Sequence, residues 1–154
     1  MKLNYFVIPL IVLAVAWLGG QLIGSGMTWY RTIKLPSFTP PGSIIGLVWT
    51  IVFILSAISA IIFWNKTAAD NRFYWIIAIF IANAILNIAW SYLFFNQHLL
   101  GLATIEAAIL DLSVIALIIL LWPISKISAG LLVPYAGWAA FATYLTYLVW
   151  SLNK

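Results

Sequence analysis

A chain of 154 residues with 66% hydrophobic and only 6% charged side chains is not built for water, where domains carry about 25% charged residues. Its mean hydropathy of +1.13 and short polar gaps leave no room for a soluble domain. The net charge of +4 comes from isolated cations at the ends of apolar runs, which excludes nucleic-acid binding. The lack of cysteine excludes disulfides, thiolate nucleophiles and thiolate metal sites.

A bilayer core about 30 Å thick takes roughly 20 apolar residues per helical span, and five runs qualify. The first is predicted over 5–23. Lys2 and the "AVA" at 14–16 resemble a signal peptide, but the run outlasts an h-region of about 7–15 residues and is expected to remain as a span. Within it Ala16, Gly20 and Gly24 stand four apart, which fits either a dimer contact or close packing inside one bundle. "GSG" and the proline-rich "WYRTIKLPSFTPP" (29–41) are expected to break the helix, because proline lacks an N–H and disfavours helix in the residue before it.

The second run, 44–64, carries Trp49 and Phe53 one turn apart, and "NKTAADNR" (65–72) is the longest polar loop. In the third run, 73–95, Asn83, Asn87, Trp90 and Phe94 share one helix face. Amides are costly against lipid, so Asn83 and Asn87 are expected to face the bundle interior. The fourth run, 101–121, holds two intramembrane acids, Glu106 and Asp111, which five-residue spacing turns to different faces. His98, the sole histidine, sits in the preceding loop and is expected to be solvated. The fifth run, 131–152, offers the stripe Pro134, Trp138, Ala142, Leu145 and Val149.

The spans place Arg31, Lys34 and Lys154 on one face and Lys2, Lys66, Arg72 and Lys126 on the other, a division that does not set orientation by the positive-inside rule. Of nine tryptophans, Trp29, Trp64, Trp75, Trp122 and Trp150 fall near span ends, where indoles form an interfacial belt. Trp49, Trp90 and Trp138 lie deeper. At about 1.5 Å per residue, Trp49 and Trp90 are roughly 7 Å from the first-loop face and Trp138 roughly 20 Å. Facing inward, these groups line an aromatic cavity with amide donors; the alternative is that the stripes interlock as core. No metal-ligand cluster, phosphate-binding glycine loop or Ser/His/Asp set is present.

"WYRTIKLPSFTPP", "VWTIVF", "LNIAWSYLFF" and "PYAGWAAFATYLTYLVW", in this order and spacing, resemble the tryptophan-rich sensory protein / translocator protein family (TspO, the peripheral benzodiazepine receptor family), bacterial type, over nearly the whole chain. The resemblance implies an all-α integral membrane protein of the cell membrane. It implies a five-helix bundle, commonly a homodimer, with a proline-rich lid between the first two helices. Its cavity is expected to bind tetrapyrroles of the protoporphyrin IX kind and benzodiazepine-receptor-type drugs, with no covalent cofactor and no metal. By motif, ligand contacts carry over to Trp49, Asn87, Trp90, Trp138, Ala142 and Leu145. Trp29, Tyr30, Arg31, Pro41, Phe53 and Asn83 complete the expected set, with Arg31 and Lys34 attracting a carboxylate. Some bacterial members are associated with light-driven oxidative breakdown of the porphyrin, which acts as photosensitiser; Trp49 and Trp138 would then be electron donors. Tetrapyrrole transport and ligand sensing without chemistry are the rival roles. A sterol-recognition pattern needs a basic residue within about five positions of its tyrosine. After Tyr147 this chain has Ser151 where animal members have arginine, and Lys154 falls too late, so a sterol site is not among the implications.

Overall fold

The computed structural model describes residues 3–154; Lys2, expected at a span end, lies outside the described residues. Among the described residues there are helices and no strands. In chain order these are α1 (Asn4–Tyr30), α2 (Gly42–Lys66), α3 (Asn71–Ser91) continued by a π-helical turn (Tyr92–Asn96), α4 (Leu100–Leu121), α5 (Lys126–Leu131) and α6 (Val133–Leu152). Five helical spans are long and apolar enough to cross a membrane, α5 and α6 together forming the fifth. The chain is a multi-pass membrane protein.

The first span runs further than its sequence suggests. Gly24, Ser25 and Gly26 are helical, and α1 continues to Tyr30. Glycine costs about 1 kcal/mol in a helix interior, but an unpaired backbone group in hydrocarbon costs several kcal/mol. The glycines are therefore overruled, and the proline-rich stretch does the breaking. At about 1.5 Å per residue the 27-residue helix is roughly 40 Å long, so its last turn rises out of the hydrocarbon. Thr32 Oγ1 donates to the Trp29 carbonyl (2.7 Å) where the chain leaves the helix. The fifth span also starts early, at Lys126. It breaks at Leu132, because Pro134 sits in the first turn of α6 and cannot continue a helix from α5. Asp70 caps α3 by accepting from the Phe73 N–H (2.8 Å).

The packing closes a ring in which α1 touches α2 and α3, α4 touches α3 and α6, and α2 touches α5. Ser59 of α2 and Ser128 of α5, both fully buried, hold one end. Each hydroxyl donates to the other residue's carbonyl, at 2.8 and 2.7 Å. Around this clamp Phe63, Ile76, Leu121 and Leu132 form the larger core. At the opposite end Phe94, Phe95, Leu100, Ala103 and Val149 form a second one. Between the cores α2 scarcely meets α6, and that splay makes the cavity.

The small-residue stripe of α1 is not a packed contact within the chain. A Cβ at Gly20 or Gly24 would meet no atom within 4 Å outside its own helix backbone and chain neighbours, among the described residues, and Ala16 and Gly20 border the cavity. The close approaches fall elsewhere, with Gly19 against Ser91 and Gly26 against the backbone of Phe95 in the π-turn. A Cβ at Gly26 would lie 2.6 Å from Phe95 Cβ and would overlap the Phe95 carbonyl. Gly26→Ala is expected to cost about 1–3 kcal/mol as an overpacking change, read as a lower unfolding midpoint in detergent. Gly24→Ala should leave that midpoint unchanged or higher. Equal midpoints would show that the π-turn yields freely.

Candidate functional site

Between α1, α2, α3, α4 and α6 lies a partly open cavity of about 800 Å³, within the range of roughly 300–1,000 Å³ typical of small-molecule sites. The helix phases decide its walls. α1 contributes Ile23, Met27 and Tyr30, and α2 contributes Trp49 and Phe53. From α3 and its π-turn come Asn87, Trp90 and Phe94; from α6 come Trp138, Ala142 and Leu145. Arg31, Leu35, Pro36 and Pro41 of the first loop line the same space.

Of the residues expected at the site, Tyr30, Arg31, Pro41, Trp49, Phe53, Asn87, Trp90, Trp138, Ala142 and Leu145 are brought together on this wall. Trp29 and Asn83 are not. Because α1 remains helical to Tyr30, Trp29 is turned about 100° away from its neighbour. It stacks on His98 (ring centroids 3.9 Å) and meets Phe94 edge-on. His98, expected to be solvated, is exposed yet covers this indole, with a left-handed φ of 56°. Asn83 is buried one turn below Asn87 in an interhelical network. Its Nδ2 donates to Ser113 Oγ (2.8 Å), and its Oδ1 accepts from the Tyr135 hydroxyl (2.9 Å). The expected amide donors are therefore spent inside the protein. Pro134, Phe38 and Lys34 lie off the wall as well; Phe38 stacks on Tyr144 (6.5 Å).

Tyr135 and Asn153 matter to the site, and the sequence stripes miss both. The Tyr135 phenol accepts from Asn87 Nδ2 (2.6 Å), while its ring receives Trp49 edge-on at 6.0 Å. A hydroxyl in an apolar span, which needs a partner, was the signal for it. Asn153, just past α6, grips the main chain of the first loop. Lys34 N–H donates to Asn153 Oδ1 (2.9 Å), and Asn153 Nδ2 donates to the Lys34 carbonyl (2.8 Å). A third bond to the Val149 carbonyl (2.8 Å) fixes which way this amide faces.

The wall is aromatic, with few polar groups. Trp90 stacks on Phe94 (5.1 Å) and Trp138 packs on Phe141 (5.3 Å). Their indole N–H groups are sealed within the wall and without partners among the described residues, whereas the half-buried Trp49 indole N–H, also without a partner among those residues, is not sealed. Arg31 donates its backbone N–H to the Met27 carbonyl, and among the described residues its guanidinium has no partner, a group suited to an anion. Glu106 is buried with neither carboxylate oxygen bonded among the described residues, and Asp111 also has a buried oxygen without a partner. Neither lines the cavity. Among the described residues no cluster of three or more metal-ligating side chains occurs.

Five helical spans around an aromatic cavity, lined in part by a proline-rich loop that is bonded to the end of the last helix, define a small membrane bundle. The chain belongs to the TspO/MBR family, whose model it matches over residues 7–151. It is 35% identical to the tryptophan-rich protein TspO of Bacillus cereus over 153 residues, covering 99% of both chains. It is 30% identical to protein CrtK of Rhodobacter capsulatus, over 99% of this chain and 95% of the relative. To the human translocator protein it is 28% identical, over 84% of this chain and 78% of the relative.

Two substitutions probe the site. Ala142→Thr places a larger, polar side chain on the wall between Trp138 and Leu145. It should weaken binding of a drug-sized aromatic ligand by about 1–3 kcal/mol with the fold intact; unchanged affinity would place Ala142 outside the ligand's footprint. Asn153→Ala removes both bonds to the loop, each worth about 0.5–1.5 kcal/mol net. Ligand dissociation, followed by chase with excess competitor, should quicken about tenfold while the unfolding midpoint stays close to the parent's. An unaltered off-rate would mean that the loop closes without its latch.

Proposed function

We propose that the chain binds tetrapyrroles of the protoporphyrin IX kind in this cavity, in the cell membrane and as a homodimer, and promotes their light-driven oxidative degradation. The observation that carries this reading is the wall itself. Trp49, Trp90 and Trp138 border a space of about 800 Å³ whose lining includes Arg31, with a guanidinium that has no partner among the described residues. A flat macrocycle stacks on the aromatic faces, and its carboxylates suit the cation. Synthetic ligands of the benzodiazepine-receptor type fit the same walls. The homodimer rests on the family resemblance, with the exposed Gly24 of α1 the one small residue of that stripe, among the described residues, that does not border the cavity.

The chemistry asks little of the protein beyond placement. The bound porphyrin absorbs light, and an electron passes from an indole to the excited macrocycle. This leaves an indole radical cation and a porphyrin radical anion that adds dioxygen; the adduct returns the electron to the indole and closes to a dioxetane, whose collapse opens the ring with both oxygen atoms in product carbonyls. Trp49 and Trp138 are the proposed donors. The protein holds ring and donor together, as proteins do for cofactors.

Illumination tests this directly. Purified protein with protoporphyrin should lose the Soret band faster than porphyrin in empty micelles; equal rates would sink the chemistry and leave binding, transport or sensing. Trp49→Phe and Trp138→Phe keep the aromatic bulk and remove the oxidisable indole. Both should lose most light-driven degradation while affinity changes by less than about tenfold, or 1.4 kcal/mol. Trp64→Phe, on the exposed side of α2 against Phe73, should behave as the parent. If affinity and degradation fall together, the indoles are walls and not donors.

A further inference from the structure

One polar atom on the cavity wall has its hydrogen-bonding sense fixed by the fold. Ser113 donates its hydroxyl proton to the Leu110 carbonyl (2.6 Å), a group that only accepts. The Ser113 oxygen therefore accepts from Asn83 Nδ2 (2.8 Å), which turns Asn83 Oδ1 toward Tyr135. The Tyr135 proton goes to that Oδ1 (2.9 Å), so the phenol oxygen accepts from Asn87 Nδ2 (2.6 Å). The second hydrogen of the Asn87 amide goes to the Asn83 main-chain carbonyl (2.9 Å), again an acceptor only, with Asn83 Oδ1 more distant at 3.4 Å.

Flipping Asn87 would set its oxygen against that carbonyl and against a phenol whose proton is committed elsewhere. The amide has one orientation. Both hydrogens are spent within the bundle, and Oδ1 is the group left over.

Asn87 is only 9% exposed and lines the cavity. No group among the described residues donates to its Oδ1. The nearby hydroxyls are occupied, Ser91 donating to the Asn87 main-chain carbonyl (3.3 Å) and Thr146 to the Ala142 carbonyl (2.8 Å). Oδ1 is not sealed by the protein and Asn87 lines the cavity, so the cavity's contents are what can supply a donor, and a ligand that covers the oxygen without one leaves it unsatisfied.

We propose that Asn87 Oδ1 is an acceptor subsite that selects flat aromatic ligands bearing an N–H donor at their edge, such as an indole, carbazole or lactam, over isosteres without one. This rests on the reading of the cavity as a ligand site. It adds a ligand class beside the tetrapyrrole, whose inner N–H groups are shielded by the macrocycle. Sequence periodicity alone reads Asn87 as a donor; the network reverses the sign.

The test uses three tricyclic probes of nearly equal shape: carbazole (N–H), fluorene (CH₂) and dibenzofuran (an oxygen acceptor). Binding to the full-length protein in nanodiscs is measured by equilibrium dialysis and corrected for uptake by protein-free nanodiscs. The parent should prefer carbazole to fluorene by about three- to tenfold, with dibenzofuran weakest. Asn87→Leu should bring the three within about twofold of one another. Saturable binding of carbazole and fluorene with equal affinity to the parent would overturn the subsite while leaving the cavity a ligand site. A carbazole preference that survives in Asn87→Leu would also overturn it, by assigning the discrimination elsewhere. No saturable binding of any probe would overturn the cavity reading and this inference together. The series on the parent decides the matter even if Asn87→Leu does not fold.

Discussion

Hydrocarbon offers no partner to a peptide N–H or C=O, and the architecture follows from that constraint. It carries α1 straight through Gly24–Ser25–Gly26 and confines the breaks to prolines and membrane edges. The same scarcity of partners turns the hydroxyls of Ser25, Thr50, Thr104 and Thr143 back onto carbonyls within one helical turn. Side chains that cannot bond to their own helix must find a neighbouring one. Ser59 with Ser128 joins α2 to α5, and Asn83 with Ser113 and Tyr135 joins α3 to α4 and α6. Such polar contacts hold membrane helices together where hydrophobic burial gives no advantage over lipid.

The position of these contacts also explains why there is a cavity. The serine clamp holds α2 against the bundle at one end, and the asparagine–tyrosine network holds α3, α4 and α6 together near mid-bundle. Toward the first loop neither device ties α2 to α6. The gap is lined by indoles and phenyl rings in stacked, tilted and edge-on pairs, which cover a large area with few conformations. Among the described residues, the hydrogen-bonding groups on that wall that are neither sealed nor partnered, the Trp49 indole, the Tyr30 hydroxyl, the Arg31 guanidinium and the Asn87 amide oxygen, are few enough to read as a chemical address.

The spans were legible in the sequence because the bilayer dictates their length, and the inward stripes of the third and fifth spans because helical phase is regular. The helix ends were less so. Reading "GSG" as a helix break assumes water, where glycine competes with solvated coil; that competitor does not exist in hydrocarbon. The error then shifted Trp29 from a wall to a stack on His98, since one residue of phase is about 100°. Asn83 shared a face with Asn87 and was grouped with it. Only the partners Ser113 and Tyr135, set by packing between helices distant in sequence, separate their roles. The latch at Asn153 had no local signature at all.

That latch has a consequence for how the mouth of the cavity can vary. Asn153 reads the main-chain amide and carbonyl of Lys34, not its side chain. Position 34 is thus uncoupled from closure: its charge can be removed, reversed or enlarged while the loop stays fastened. Position 153 has no such latitude, because only a short side chain offering donor and acceptor together can grip both groups. Electrostatic tuning of the mouth and mechanical tuning of the loop are written at two separate addresses, free to drift independently.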